Sequence, residues 1–599
     1  MGSVERASRR LFASMAVLAV LAAGAAASSG GSTSPAPPPR VEALFELRHP
    51  QGLARLVREV SNPRSPRYRH YPGVSRVIRR FGASPSTQRR VLRWLSARGL
   101  HARIGPTKTY ALARMSPARA KRLLGQGSRD PRASRTRHGA RPVGYPVRVP
   151  PQLRRLVSGV SVLSTAPGAV REGASSAAAT IPPLPPAHGS ARDRTGTPSG
   201  CAEGQAAGFA APDSSFTPNQ YLTAYGHARL HSRGLRGGGQ RVSFVEIDGF
   251  RRSDIESFGA CFGIPIQPIH VHPVGGPTLA PGPETTLDLE VFSAAAPKVA
   301  AMDVYEGSST APGILETAAA ALGRRHRRPD VISISLEGCE PRYDGARAFL
   351  DAYNHVFAVA AAAGISTLVA AGDQGSSMCK QGDAALPILA TSAPATSPYV
   401  TAVGGTNLVL GPANHTLHEI VWNDAPLIFG GGGGGYSLLF AKPWWQHVAS
   451  TDDARTVPDL AALADPVPGF AIFCTAPECG SFPQQTPGWV GIGGTSAATP
   501  LLAGGIALAD QAAGRRGQQP LGFLNPLLYS AARSGSRAAA FRDLRRGDND
   551  LGKMIPAAAG GGEPLGCCSA KPGYDLASGW GSPSLTGLNS VALRAGRPR

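Results

Sequence analysis

The sequence predicts an α/β protein: a doubly wound parallel sheet with helices on both faces, preceded by a smaller α/β domain. Three observations carry this expectation. Between residues 241 and 371, short apolar runs alternate with helical patterns, which is how parallel strands joined by crossover helices read. Residues 41–125 hold a second, compact set of strand-like and helical runs. Residues 126–200 between them are rich in Arg, Pro, Ser and Ala and include the run Pro182-Pro183-Leu184-Pro185-Pro186, which cannot join a regular core. At 599 residues the chain is also too long for one core.

Taken in order, Arg6, Arg9 and Arg10 precede an apolar run from Leu11 to about Ala23 and then small residues. This reads as a signal peptide over 1–27, too short for a good membrane span, and implies a secreted, extracellular protein. A Ser/Pro/Gly linker follows over 28–40. In the 41–125 domain, a strand is expected over 41–47 and helices over 53–60, 74–81 and 86–95, with strands near 102–104 and 109–113. The 126–200 stretch is expected to be an exposed linker that contains the processing site. The main domain, 201–599, should place strands at 241–247, 299–305, 331–336 and 366–371. Helices are expected at 284–296, 314–324 and 345–363.

Composition narrows the function. The net charge of +23 suggests nucleic acid, yet 34 of the 62 Lys and Arg but only 7 of the 39 Asp and Glu lie in the first 200 residues. The rest of the chain is slightly acidic, so a nucleic-acid partner is not expected, and a low aromatic content of 6% argues the same way. No other segment reads as a membrane span. All eight Cys follow residue 200, which in an exported protein fits disulfides; Cys474 and Cys479 could close a small loop.

The most specific segment is Gly493-Gly494-Thr495-Ser496-Ala497-Ala498-Thr499-Pro500, followed by an apolar run. Pro500 fits the first turn of a helix, which puts Ser496 at a helix N-terminus where negative charge is favoured. A lone serine there is more often an N-cap; the whole octapeptide points to a nucleophile. A nucleophilic serine needs a base, and none of the main-domain histidines is followed by Gly, so the His-Gly-Thr element of subtilisin-like enzymes is missing. Glu284-Thr-Thr-Leu-Asp288 offers an alternative. Its i, i+4 spacing puts two carboxylates on one helix face, and two close carboxylates split their pKa values. A solvated acidic first turn is the competing reading. Asp373, in Ala371-Gly372-Asp373-Gln-Gly375 after an apolar strand, sits where a protonated acid would meet a developing oxyanion; a turn-forming Asp is its plainer reading.

Together these motifs resemble the sedolisin family of serine-carboxyl peptidases, over roughly residues 41–125 and 205–587. Ser333-Ile334-Ser335, Gly434-Gly435-Tyr436-Ser437 and Pro458-Asp459-Leu460 resemble it too. The resemblance implies a subtilisin-like fold and a ferredoxin-like activation propeptide of the pro-kumamolisin type over 41–125, acting as inhibitor and chaperone. It implies Ser496 as nucleophile, Glu284 as general base, Asp288 as its partner and Asp373 as oxyanion acid, with Glu246 behind them. It further implies one structural Ca2+ held by Asp543 and Asp575 and the carbonyls of Leu544, Lys571 and Gly573, hard oxygen ligands that suit the ion.

Leu336 stands where the family often has Trp, and the glycine run 430–435 exceeds the usual spacer and is expected to loosen a substrate-edge loop. The function implied is a secreted, acid-active endopeptidase made as a zymogen, monomeric and acting on polypeptides. The alternatives are a tripeptidyl exopeptidase and an inactive peptidase-like binding protein.

Overall fold

The computed structural model describes residues 40–125, 140–165, 171–172, 196–208, 215–323, 328–379, 387–424, 430–448, 453–480, 487–554 and 562–596. The expected signal peptide, the linker up to residue 39 and the proline run at 182–186 lie outside them.

The first domain is a sheet of five strands: β1 (Val41–Leu47), β2 (Ala102–Ile104), β3 (Tyr110–Met115), β4 (Gly144–Val147) and β5 (Val157–Ser164), in the order β2-β3-β1-β5-β4. Every pair is antiparallel. Helices α1 (Leu53–Ser61), α2 (Val74–Phe81) and α3 (Pro85–Ser96) connect β1 to β2, and α4 (Pro117–Leu124) follows β3. Without the edge strand β4 this is the βαββαβ ferredoxin-like order. The expected elements over 41–115 form within two residues of their predicted ends. Residues 144–164, however, are not linker: β5 pairs along the whole of β1. Its sequence, Val-Ser-Gly-Val-Ser-Val-Leu-Ser, has buried apolar side chains, a local signal outweighed in the sequence reading by the Arg- and Pro-rich surroundings.

The second domain is built on strands β7 (Arg241–Glu246), β8 (Ile269–Val274), β9 (Ala301–Gly307), β10 (Val331–Ile334), β12 (Ser366–Ala370), β13 (Thr401–Leu410) and β14 (Thr416–Val421), in the order β14-β13-β12-β10-β7-β9-β8, with β15 (Leu460–Leu463) also on β13. All these pairs are parallel except β13 with β14. Two short strands, β6 (Arg171–Glu172) and β11 (Leu336–Glu337), pair antiparallel with each other. Helices α5 (Pro283–Ala295) and α8 (Thr495–Gly514) pack against each other, while α6 (Ala311–Ala321) and α7 (Arg347–Ala362) form the other layer. A Cβ on Gly504 of α8 would stand 2.4 Å from that of Ala295 on α5, so this approach requires glycine.

β12, β10 and β7 are parallel neighbours, so their carboxyl ends open side by side. That edge is where such sheets hold ligands, and there Glu246 ends β7, Ser335 follows β10 and Asp373 follows β12. The first domain covers α7 with α1, α2, β1 and β5. Its Arg103 forms a two-pronged ion pair with Glu316 of α6, both contacts at 2.6 Å. Tyr71 donates to the Leu521 carbonyl at 2.8 Å, and the His49 ring stands edge-on to His355 of α7, with centroids 4.8 Å apart. Among the described residues no helix is long and apolar enough to cross a membrane. Disulfides join Cys201 to Cys261, Cys339 to Cys379, Cys474 to Cys479 and Cys567 to Cys568.

Candidate active site

Helix α8 begins at Thr495 with Ser496 as its second residue, and Ser496 is fully buried. Pro500 is not in the first turn, as its sequence position suggested, but the sixth residue of the helix. A proline there has no N–H to give to the carbonyl four residues back, so the Ser496 carbonyl is left without its helical donor. The Ser335 hydroxyl fills the gap, 3.2 Å from that carbonyl. Ser496 Oγ in turn lies 3.4 Å from the Ser335 carbonyl.

The same Ser335 hydroxyl sits 2.9 and 2.8 Å from the two oxygens of Asp288. Asp288 and Glu284 stand one turn apart on α5, both fully buried, which rules out the solvated first turn. Glu246 is fully buried beside Asp288, and two neighbouring buried carboxyls cannot both ionise cheaply. Burial, and then the charges of Asp288, Asp248 and Glu284, push Glu246 well above the usual carboxyl range. Burial also raises Asp288, against the opposing hydrogen bond from Ser335.

On the other side of Ser496, Oδ1 of buried Asp373 accepts the Thr495 N–H at 2.7 Å and the Thr495 hydroxyl at 2.8 Å. Thr495 Oγ1 also accepts the Gly372 N–H at 3.0 Å. The glycine run does not loosen this edge. Gly431 donates to the Asp373 carbonyl at 3.0 Å and Gly433 to that of Gly372 at 2.7 Å. A Cβ on Gly433 would lie 2.1 Å from the Ala371 carbonyl oxygen. The run is a brace against the Asp373 loop, and only glycine fits so close to another backbone.

The structure thus gathers Glu246, Asp288, Ser335, Ser496 and Asp373 at one sheet edge, with Glu284 one turn from Asp288. Two further carboxylates escaped the sequence reading. Glu337 accepts the Asp373 N–H at 2.6 Å. Asp248 accepts the Glu284 N–H at 3.0 Å, the Thr285 N–H at 3.0 Å and the Thr285 hydroxyl at 2.5 Å. Both follow apolar strand runs, a signal used for Asp373 and available for these two. Leu336 is fully buried and its backbone pairs with Glu172 of β6, so a segment from between the two domains runs alongside the site.

The residues expected to hold calcium do not fit the ion as they stand. Asp543 Oδ1 accepts Arg537 Nη2 at 2.8 Å and the Gly573 N–H at 2.9 Å, and Oδ2 accepts Arg545 Nε at 2.9 Å. The Asp575 oxygens accept the N–H groups of Lys571, Ala577 and Ser578 and the Ser578 hydroxyl. Two guanidiniums already neutralise Asp543, and a dication beside them would be repelled. Arg537 also lies 5.6 Å from the centre of the Trp580 ring, so it ties the segment after Asp543 to the loop at 573–580.

Comparison with known proteins agrees with this architecture. Residues 27–165 match the Pro-kumamolisin activation domain, and residues 292–519 match the Subtilase family. Kumamolisin of Bacillus sp. (strain MN-32) is 33% identical over 397 residues, 64% of this chain and 64% of that protein. Sedolisin of Pseudomonas sp. (strain 101) is 34% identical over 265 residues, 43% of this chain and 40% of that protein. The chain therefore spans less than two thirds of either. Tripeptidyl-peptidase 1 of Canis lupus familiaris is 27% identical over 580 residues, 90% of this chain and 89% of the relative. Among solved structures, Pseudomonas sedolisin, a serine-carboxyl proteinase complexed with pseudo-iodotyrostatin, superposes with a TM-score of 0.51 at 26% identity, covering 63% of this chain and 97% of that one. The chain is a homologue of kumamolisin, sedolisin and tripeptidyl-peptidase 1 that joins a pro-kumamolisin activation domain to a subtilisin-like peptidase domain.

Proposed function

We propose that the chain is a serine-carboxyl peptidase made as a zymogen, secreted, and active in acid once its first domain is removed. Ser496 is the nucleophile, Glu284 the general base, Asp288 its partner and Asp373 the acid that meets the oxyanion. The observation that carries this reading is the Ser335 bridge, which ties Asp288 to the backbone of Ser496 while Asp373 holds the adjacent Thr495.

In the reaction, Glu284 takes the Ser496 proton as Oγ attacks the scissile carbonyl, and later returns it to the leaving amine and to the next water. Asp373 Oδ1 is engaged by two donors from Thr495, so a proton on Oδ2 is the one available for the oxyanion, alongside the Ser496 N–H. One carboxyl must be ionised and another neutral, which confines activity to acid. The polypeptide substrate binds as a strand. Antiparallel pairing of β6 with β11 supports this, since there an extended segment lies against a backbone edge beside the site. On this reading the enzyme is an endopeptidase and self-processing falls between residues 165 and 200, the stretch that contains β6. The first domain, seated on α7, acts as inhibitor until then.

Ser496→Ala should leave a folded, full-length protein that neither shortens on acidification nor cleaves an N-terminally blocked peptide. Cleavage by that variant would overturn the assignment. Mass spectrometry of the acidified parent chain gives the junction, and release of tripeptides alone from unblocked peptides would establish the exopeptidase instead.

A further inference from the structure

Asp248 follows the end of β7, two residues after Glu246, and plays no part in the scheme above. It is the cap of the catalytic helix. α5 begins with Gly282 as its N-cap residue, and glycine has no side chain to satisfy the first N–H groups. Asp248 reaches across from another strand to do so. Its Oδ2 takes the N–H of Glu284 itself, and its Oδ1 takes the N–H and hydroxyl of Thr285. The fit is tight: a Cβ on Gly282 would stand 2.0 Å from Asp248 Oδ2. The position of the Glu284 backbone is therefore set by a carboxylate outside its own helix.

That carboxylate is also one of a crowd. Glu246 stands on its own strand, Glu284 and Asp288 on α5, and Glu306 on β9. No lysine, arginine or histidine figures among the charges that act on it most strongly. Burial raises Asp248 to about 6 against the lowering effect of its bonds to Thr285 and Glu284, and its charge raises both Glu246 and Asp288.

We propose that Asp248 is a positioning residue for the base: it anchors the first turn of α5 so that Glu284 stays in place, and its charge sets the pH range over which the carboxyl cluster works. This rests on the serine-carboxyl reading above. With Asp248 ionised, a second negative charge nearby is harder to add, so Glu246 and Asp288 hold a proton to higher pH. Asp248, at about 6, is charged only at the upper end of the range, so removing its charge should move the alkaline limb of kcat/KM to lower pH.

Asn has one acceptor oxygen where Asp248 uses two, so Asp248→Asn removes the charge and one capping bond but keeps the other, while Asp248→Ala removes the cap altogether. The parent, Asp248→Asn and Asp248→Ala are assayed on one blocked peptide across pH 2–7. Melting points of the three are measured on the Ser496→Ala background, where self-processing cannot interfere. We expect Asp248→Asn to melt between its parent and Asp248→Ala and to shift the alkaline limb down by ~1 pH unit, as loss of one nearby charge implies. Asp248→Ala should add a further ~tenfold fall in kcat with KM little changed. An Asp248→Asn alkaline limb that superimposes on the parent's, with or without a lower melting point, would overturn the proposal. A parent that cleaves no peptide at any pH would instead overturn the serine-carboxyl reading on which it depends.

Discussion

Ser335 shows how much one hydroxyl can hold. It meets Asp288 on one side and, on the other, the Ser496 carbonyl that Pro500 leaves without a helical donor. Ser335→Ala would leave that carbonyl and Asp288 short of a buried partner, at a cost of about 1–3 kcal/mol, and would release Ser496 from its fixed place. We expect kcat to fall at least tenfold with KM nearly unchanged, read from steady-state kinetics on a blocked peptide; an unchanged kcat would show that the bridge is only structural. At this scale the sequence was a good guide to residue type. Glu284, Asp373 and Ser496 were legible because each stands at a strand end or helix start near Gly or Pro, Asp288 by its spacing from Glu284, and Glu246 through the family resemblance. Ser335 was quoted without a role, and Asp248 and Glu337 were passed over, because what matters about them is a partner 36 or more positions away in the chain.

Among elements, the strands and helices from 241 to 371 formed close to their expected limits. The strand expected over 331–336 divides at Ser335 into β10 and β11; that break turns the Ser335 side chain toward Asp288 and frees β11 to pair with β6. The 430–435 run behaved differently from expectation, and Asp543, expected to hold calcium, is met by two guanidiniums, for the same reason. A glycine run reads as looseness until the backbone it packs against is known, and an aspartate reads as a metal ligand until its neighbours are known. If Arg537 rather than an ion ties Asp543 to the 573–580 loop, adding EDTA to the purified protein should leave the melting temperature unchanged. Arg537→Ala should then lower it by a few degrees, the usual effect of losing about 1 kcal/mol in a chain of this size. A marked fall in melting temperature with EDTA, restored by Ca2+, would reinstate the metal.

Across the whole molecule, the first domain holds α7 through a contact that senses pH. His355 is buried against His49, and burial, then His49, lower its pKa to about 3. With the domain gone, the ring regains water and an ordinary value near ~6.5. The sign follows. Above pH ~6.5 both states are neutral and the contact is intact; as pH falls below that, only the released state takes the proton, so association weakens by up to ~tenfold per pH unit. Glu46, raised mainly by burial, works the other way, because a buried acid prefers the docked, protonated form. We expect His355→Leu to slow self-processing several-fold at pH 5.5, with the half-time measured by gel densitometry. Equal half-times would mean that the release of the first domain does not run through this ring.

By itself, the sequence determined the two-domain α/β plan, the order of most elements and the identity of the central acids and serine. These follow from periodicity, breakers and short motifs, all local properties. The tertiary structure decided what locality cannot encode: that residues 144–164 complete the first sheet, that the glycine run is a brace, that Arg537 stands at Asp543, and that Asp248 caps the helix of Glu284. Each is a pairing between segments far apart in the chain, and its energy depends on burial and distance, which exist only once the sheet has brought its carboxyl edges together.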